Sequence, residues 1–115
     1  MESDEAVVAL EALAQGSRLG IFRLLVEAGP EGLPAGRIAE RMELPGPTLS
    51  FHLAQLKHAG LIACRREATS LIYSANFTAM NGLVGFMTEN CCGGGAAQCA
   101  PARDVSQRKR KRRAR

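Results

Sequence analysis

Residues 33–76 read LPAGRIAERMELPGPTLSFHLAQLKHAGLIACRREATSLIYSAN, and the order of periodicities in this stretch decides the fold. Ile38, Ala39 and Met42 recur at helical spacing behind Pro34, a residue suited to a helix's first turn. Leu44-Pro45-Gly46 makes a tight turn. Pro47 and Thr48 then open another helix that runs to about His58 and stops at Ala59-Gly60. Two helices joined by a short Pro-Gly turn have helix-turn-helix spacing. Two short apolar or β-branched runs follow, residues 61–66 and 71–75, with residues 67–70 as their turn. That turn holds no Gly, so the usual two-residue hairpin signal is absent. The hairpin reads as a wing.

Working outward, Val7, Leu10, Leu13 and Ala14 recur at helical spacing, which predicts a first helix over residues 4–14. Gln15-Gly16 breaks it, and Ser17 can cap a second helix with Leu19, Phe22, Leu25 and Val26 as its apolar stripe. Gly29-Pro30 ends that helix. On the other side, Phe77, Met80, Leu83, Val84 and Met87 predict a last helix over residues 77–90, which Gly82 and Gly85 weaken. The expected fold class is mainly α with a small β-hairpin, a winged helix-turn-helix of order α-α-α-α-β-β-α. Residues 1–90 would form the folded unit. Residues 91–115, rich first in Gly, Ala and Cys and then in Lys and Arg, would form a tail without fixed structure.

The chain has 115 residues, enough for one domain. Four Phe, one Tyr and no Trp leave the core to aliphatic side chains. No run of about 18 apolar residues exists, which argues against a membrane span. The start MESDEAVV is acidic, unlike a secretory leader, so the expected location is cytoplasmic. The net charge of +4 is unevenly placed. Residues 1–102 hold seven Lys/Arg against ten Asp/Glu, and residues 103–115 hold eight against one. Bulk charge therefore cannot support nucleic-acid binding by the body, which needs a local surface instead.

The helix after the Pro-Gly turn supplies one. Leu49, Leu53 and Leu56 share a face and should enter the core. Ser50, Phe51 and Gln55 point the other way, with Thr48 and His52 at the edge. A recognition helix enters the major groove by its N-terminal end, so Thr48, Ser50, Phe51, His52 and Gln55 are the candidates for DNA contact. Gln can read adenine bidentately, and an aromatic ring can meet a thymine methyl. Arg65 and Arg66 in the wing fit phosphate contact, although an exposed Arg pair is by default a solvated surface. For His52 the plain alternative is a local hydrogen-bonding role.

The run SFHLAQLKHAGLI at 50–62, with Arg66-Glu67 and Tyr73, resembles the recognition helix and wing of the ArsR/SmtB metalloregulatory repressors. ALAQGSRLGIFRLL at 12–25 resembles the same family's second helix. The resemblance covers roughly residues 5–90. It departs at Ala68-Thr69, where the family's wing usually carries Gly. It implies a homodimer built on the first and last helices, bound to double-stranded operator DNA until an inducer arrives, with no cofactor for DNA binding and no membrane.

The same resemblance frames the four cysteines, Cys64, Cys91, Cys92 and Cys99. One family site places a Cys box in the third helix, but PAGRIAERM at 34–42 has no Cys. Another places Asp and His along the last helix, but FTAMNGLVGFMTEN at 77–90 has neither. Cys91, Cys92 and Cys99 remain, and their arrangement resembles that of arsenite repressors with a vicinal Cys pair at the end of the last helix. Three thiolates make a soft site. Zinc usually takes four ligands, whereas trivalent arsenic or antimony takes three sulfurs in a pyramid. Gly93-Gly94-Gly95 supplies loose backbone for bringing Cys99 back to the pair. The expected function is a repressor of a metalloid-resistance operon, released on binding arsenite or antimonite through Cys91, Cys92 and Cys99. The alternative is a thiol redox sensor of the same fold. An enzyme is disfavoured, because no oxyanion-cradling loop surrounds a nucleophilic Cys. Cys64, in the first wing strand, reads as a small buried hydrophobe.

Overall fold

The computed structural model describes residues 1–94. Helices α1 (Ser3–Leu13) and α2 (Gly16–Ala28) precede a two-residue strand, β1 (Leu33–Pro34). Helices α3 (Ala35–Met42) and α4 (Gly46–His58) follow, then strands β2 (Ile62–Glu67) and β3 (Ser70–Ala75), helix α5 (Phe77–Met87) and a 3-10 turn at Cys91–Gly94. This is a winged helix-turn-helix, mostly helical, with one three-stranded antiparallel sheet of order β1-β3-β2.

β1 is the element that the hairpin reading omits. It pairs with β3 through Leu33↔Tyr73 and Pro34↔Ile72. Two residues, one of them Pro, are too short to show a period of two, and Pro belongs on an edge strand, where β1 lies. Gly32 makes the pairing possible. It has φ +73, and a Cβ there would run into the backbone carbonyl of Tyr73. The β2–β3 register, from Ile62↔Ala75 to Glu67↔Ser70, leaves Ala68-Thr69 as a two-residue loop. Such loops need positive φ, and Ala68 supplies it at 55° without being Gly.

Helices α1, α2 and α5 begin on short-range side-chain caps, whereas α3 and α4 begin behind Pro34 and Pro45 with none. In α1 the Glu2 backbone N–H donates to Glu5 Oε1 at 2.8 Å. In α2 the cap is Gln15, not Ser17: its Oε1 accepts from the Arg18 N–H at 2.8 Å. Arg18 Nε also donates to the Ala12 carbonyl at 2.7 Å, tying α2 to the end of α1. Asn76 fixes the junction of wing and α5. Its N–H donates to the Leu61 carbonyl, its Nδ2 to the Gly60 carbonyl, and its Oδ1 accepts from Ala79 N–H. α5 stops at Met87, earlier than the expected residue 90, with the Thr88 hydroxyl bonded to the Val84 carbonyl at 2.9 Å.

Ile21, Leu25, Ile38, Leu56 and Leu61 are the largest fully buried side chains. Leu49 and Leu53 join them from α4, as the spacing predicts. The stripe predicted for α1 is out of phase. Ala6, Ala9 and Ala12 are buried, while Val7, Val8 and Leu10 are exposed. α1 packs on α2, α4 and α5 at once, and small side chains at i, i+3, i+6 let it approach them closely. Leu19, assigned to the stripe of α2, is also exposed.

Candidate nucleic-acid interface and cysteine pair

Helix α4 presents two faces with different chemistry. Leu49, Leu53 and Leu56 hold one face in the core, which fixes the helix in rotation. Thr48, Ser50, Phe51 and Gln55 are exposed on the other. Phe51 is 57 % exposed, a large apolar ring held in solvent by a helix with no freedom to turn it inward.

His52 is not on that surface. It is 8 % exposed, and its Nδ1 is buried without a hydrogen-bond partner among the described residues. The ring meets Phe51 edge-on, with centroids 5.7 Å apart. The spacing already contains this result: residue 52 is three after Leu49 and four before Leu56, so it falls on the leucine face. His52 therefore supports Phe51 from beneath and leaves the set of side chains available to a groove.

The two wing arginines also separate. Arg65 Nε donates to Glu67 Oε2 at 3.0 Å and its Nη2 to the Glu31 carbonyl at 2.9 Å. It braces the base of the wing against the loop after α2. Arg66 is exposed and has no protein partner among the described residues. On α3, Arg37 lies 3.8 Å from Glu40, an exposed pair of small energetic weight.

Cys64 stands opposite Tyr73 in the β2–β3 register. It is half-buried rather than buried, and it shares a side-chain hydrogen bond with Tyr73. Burial first, and then Cys64, push the Tyr73 phenol above its ordinary 10.0. Sequence reasoning treated these two residues separately. The cross-strand register that joins them depends on the loop, which carries no glycine signal.

Cys91 is half-buried and its N–H donates to the Thr88 carbonyl at 3.0 Å. Cys92 is exposed, with φ 57 and ψ 35, and Gly93 and Gly94 continue in positive φ. The chain thus turns sharply away at the second thiol. Cys99 lies outside the described residues. Among the described residues, no group of three His, Cys, Asp or Glu side chains is arranged to hold a metal. No helix among them is long and apolar enough to cross a membrane.

Residues 13–65 match a family described as a helix-turn-helix domain. The transcriptional activator HlyU of Vibrio cholerae is 33% identical over 90 residues, which are 78% of this chain and 81% of that protein. Its solved structure superposes with a TM-score of 0.63, covering 80% of this chain and 99% of the other. A structure of reduced HlyU from the same organism gives 0.62 over 78% and 92%. A homodimeric winged helix-turn-helix DNA-binding domain from Mycobacterium bovis, described as "a possible ArsR-family transcriptional regulator", is 27% identical with a TM-score of 0.60, over 81% and 86%.

Proposed function

The chain belongs to the ArsR family of winged helix-turn-helix transcriptional regulators, and from that premise we propose a dimeric operator-binding repressor, released when trivalent arsenic or antimony binds Cys91, Cys92 and Cys99. Its relatives are transcriptional regulators, not enzymes. The observation that carries the inducer reading is the adjacent pair Cys91-Cys92, separated by three residues from the end of α5, a helix whose Val84 and Met87 are 58 % and 62 % exposed.

The same α5 would serve both the dimer and the inducer. α1 and α5 pack together, and both leave large apolar side chains in solvent. A second copy covering them would bring two α4 helices to successive turns of a duplex, with Thr48, Ser50, Phe51 and Gln55 in the groove and Arg66 on phosphate. Arsenite, As(OH)₃, exchanges its three hydroxyls for three thiolate sulfurs. Each thiol gives its proton to a departing hydroxide, so three waters leave and no electron moves. Drawing residue 99 to the pair would pull on the end of α5, repack the dimer and change the spacing of the two reading helices.

A second reading has support in the reduced state solved for the HlyU relative. In it, peroxide oxidises two of the thiols to a disulfide, itself going to two waters, and the same α5 end moves. Operator binding by the full chain, on a duplex selected from random sequence, separates the two. Under a phosphine reductant, arsenite should weaken binding by about 5–150-fold, the usual range of coupling between two sites. A variant with Cys91→Ser and Cys92→Ser should bind DNA normally and ignore arsenite. Release of that double variant by arsenite would rule out the site. Release by peroxide alone, reversed by reductant, would select the redox reading.

A further inference from the structure

Helix α4 brings an uncharged set of groups to a groove. Residues 46–56 hold no Lys, Arg, Asp or Glu. The basic residues of α4, Lys57 and His58, sit in its last turn, away from the end that enters a groove. The commonest contact to guanine is a bidentate Arg or Lys, and cytosine N4 is met by Glu or Asp. The reading end of α4 offers neither. Its exposed side chains offer the amide of Gln55, the hydroxyls of Thr48 and Ser50, and the ring of Phe51. Gln matches N6 and N7 of adenine, and a hydroxyl can meet any base. The ring has a narrower choice.

Phe51 is the one large apolar side chain that α4 leaves in solvent. Val7, Val8, Leu10, Val84 and Met87 are exposed too, but on α1 and α5, the surfaces assigned to a second copy. Phe51 stands instead on the helix assigned to DNA. The leucines fix α4 in rotation, and the ring lies edge-on to the buried His52, so its direction is set before a duplex arrives. The apolar group that a base pair presents in the major groove is the C5 methyl of thymine. We infer that Phe51 determines sequence specificity by packing on a thymine methyl, and that α4 selects A·T pairs, with Gln55 on an adenine. Residues 51 and 55 share a face of the helix. Four helical residues rise about 6 Å, close to two base-pair steps of about 3.4 Å each. The thymine and the adenine therefore lie about two steps apart. The inference deepens the DNA-binding part of the proposed function, rests on it, and is independent of the inducer.

The test uses the full chain and an operator duplex selected from random sequence. Each thymine of a half-site is replaced in turn by deoxyuridine, which lacks the C5 methyl and keeps the same hydrogen-bonding edge. At one thymine the replacement should weaken binding about fourfold, the worth of one buried methyl. With both half-sites replaced the loss should be about fifteenfold. Phe51→Ala should bind the thymine duplex at least that much more weakly and should distinguish it from the deoxyuridine duplex by less than about twofold, a coupling that a double-mutant cycle reads. Phe51→Leu keeps an apolar side chain and should recover part of the discrimination. Phe51 is exposed, so neither substitution opens the core. Silence of deoxyuridine at every thymine overturns the inference. So does a penalty that persists undiminished in Phe51→Ala, which would assign the methyl to another contact, and so do selected half-sites built of G·C pairs. If the wild type selects and binds no duplex, the DNA-binding reading fails with it. If it binds its operator and only the methyl goes unread, this inference alone fails.

Discussion

α1 and α4 are both short helices with apolar residues at helical spacing, yet they are packed in opposite senses. α4 turns its leucines inward and leaves polar residues and one phenylalanine outside. α1 turns three alanines inward and leaves Val7, Val8 and Leu10 outside. A helix that buries its large side chains is held by its own fold. A helix that buries its small ones and exposes its large ones has a second apolar face left to cover. The contrast divides the molecule into a self-sufficient reading half and, around α1 and α5, a half whose apolar surface is completed by a partner in the proposed dimer.

The sharpest way to break the contrast is to attack α4 from within. Leu53→Ala removes a side chain that is 2 % exposed, and such truncations cost about 2–5 kcal/mol. Urea unfolding of wild type and variant side by side should show the same difference at every protein concentration, because the contact lies within one protomer. Independence from concentration is the useful part. A difference between the two proteins that shrank as concentration rose would show that α4 also depends on the partner.

Val84→Ser tests the other half. Val84 is 58 % exposed, so in a monomer the change should stay within about 0.5 kcal/mol. In the proposed dimer it removes a buried apolar contact from each copy, about 1.5–3 kcal/mol per side chain. The thermal midpoint of the variant should then fall steeply on dilution, and sedimentation should show monomer at concentrations where the wild type is dimeric. Equal sedimentation of the two proteins would remove α5 from the interface.

Much of the reading half was legible because α4 obeys one rule throughout. Leu49, Leu53 and Leu56 state a face, and Pro45-Gly46 and Ala59-Gly60 state its ends. His52, placed by its spacing at the edge of the outer face, lies among the leucines at 8 % exposure. α1 was illegible for a different reason. Periodicity finds the strongest apolar stripe, and in α1 the strongest stripe points away from the protomer's own core. The alanines that face inward carry too little hydrophobicity to outvote Val7 and Leu10. β1 was beyond reach because its signal is a contact, that of Gly32 with the Tyr73 carbonyl, and not a pattern. Of the candidate site, the exposure of Phe51, Ser50, Thr48 and Gln55 followed from the α4 face. The engagement of Arg65 did not, since its partner Glu31 is 34 residues away in sequence.

Tyr73 offers the finest probe, since it lies in the central strand of the wing and away from the exposed apolar surfaces of α1 and α5. Its phenol is held above the ordinary 10.0 by burial and by Cys64, so folding favours the neutral form. The stability this contributes is complete below pH 10.0 and is lost as pH rises through the higher folded-state value. Tyr73→Phe cannot ionise. It should be slightly less stable at neutral pH for loss of the hydrogen bond to Cys64, and then fall less steeply than the wild type as pH rises past 10.0. Urea midpoints of both proteins as pH rises past 10.0 measure the difference in slope, which reports the Tyr73–Cys64 pair together, while groups distant from it cancel. The dimer should be indifferent to the change, because nothing at Tyr73 belongs to α1 or α5. A Tyr73→Phe variant that dissociated on dilution would mean that the two halves are coupled through the sheet, and the division drawn between α1 and α4 would have to be redrawn along β3.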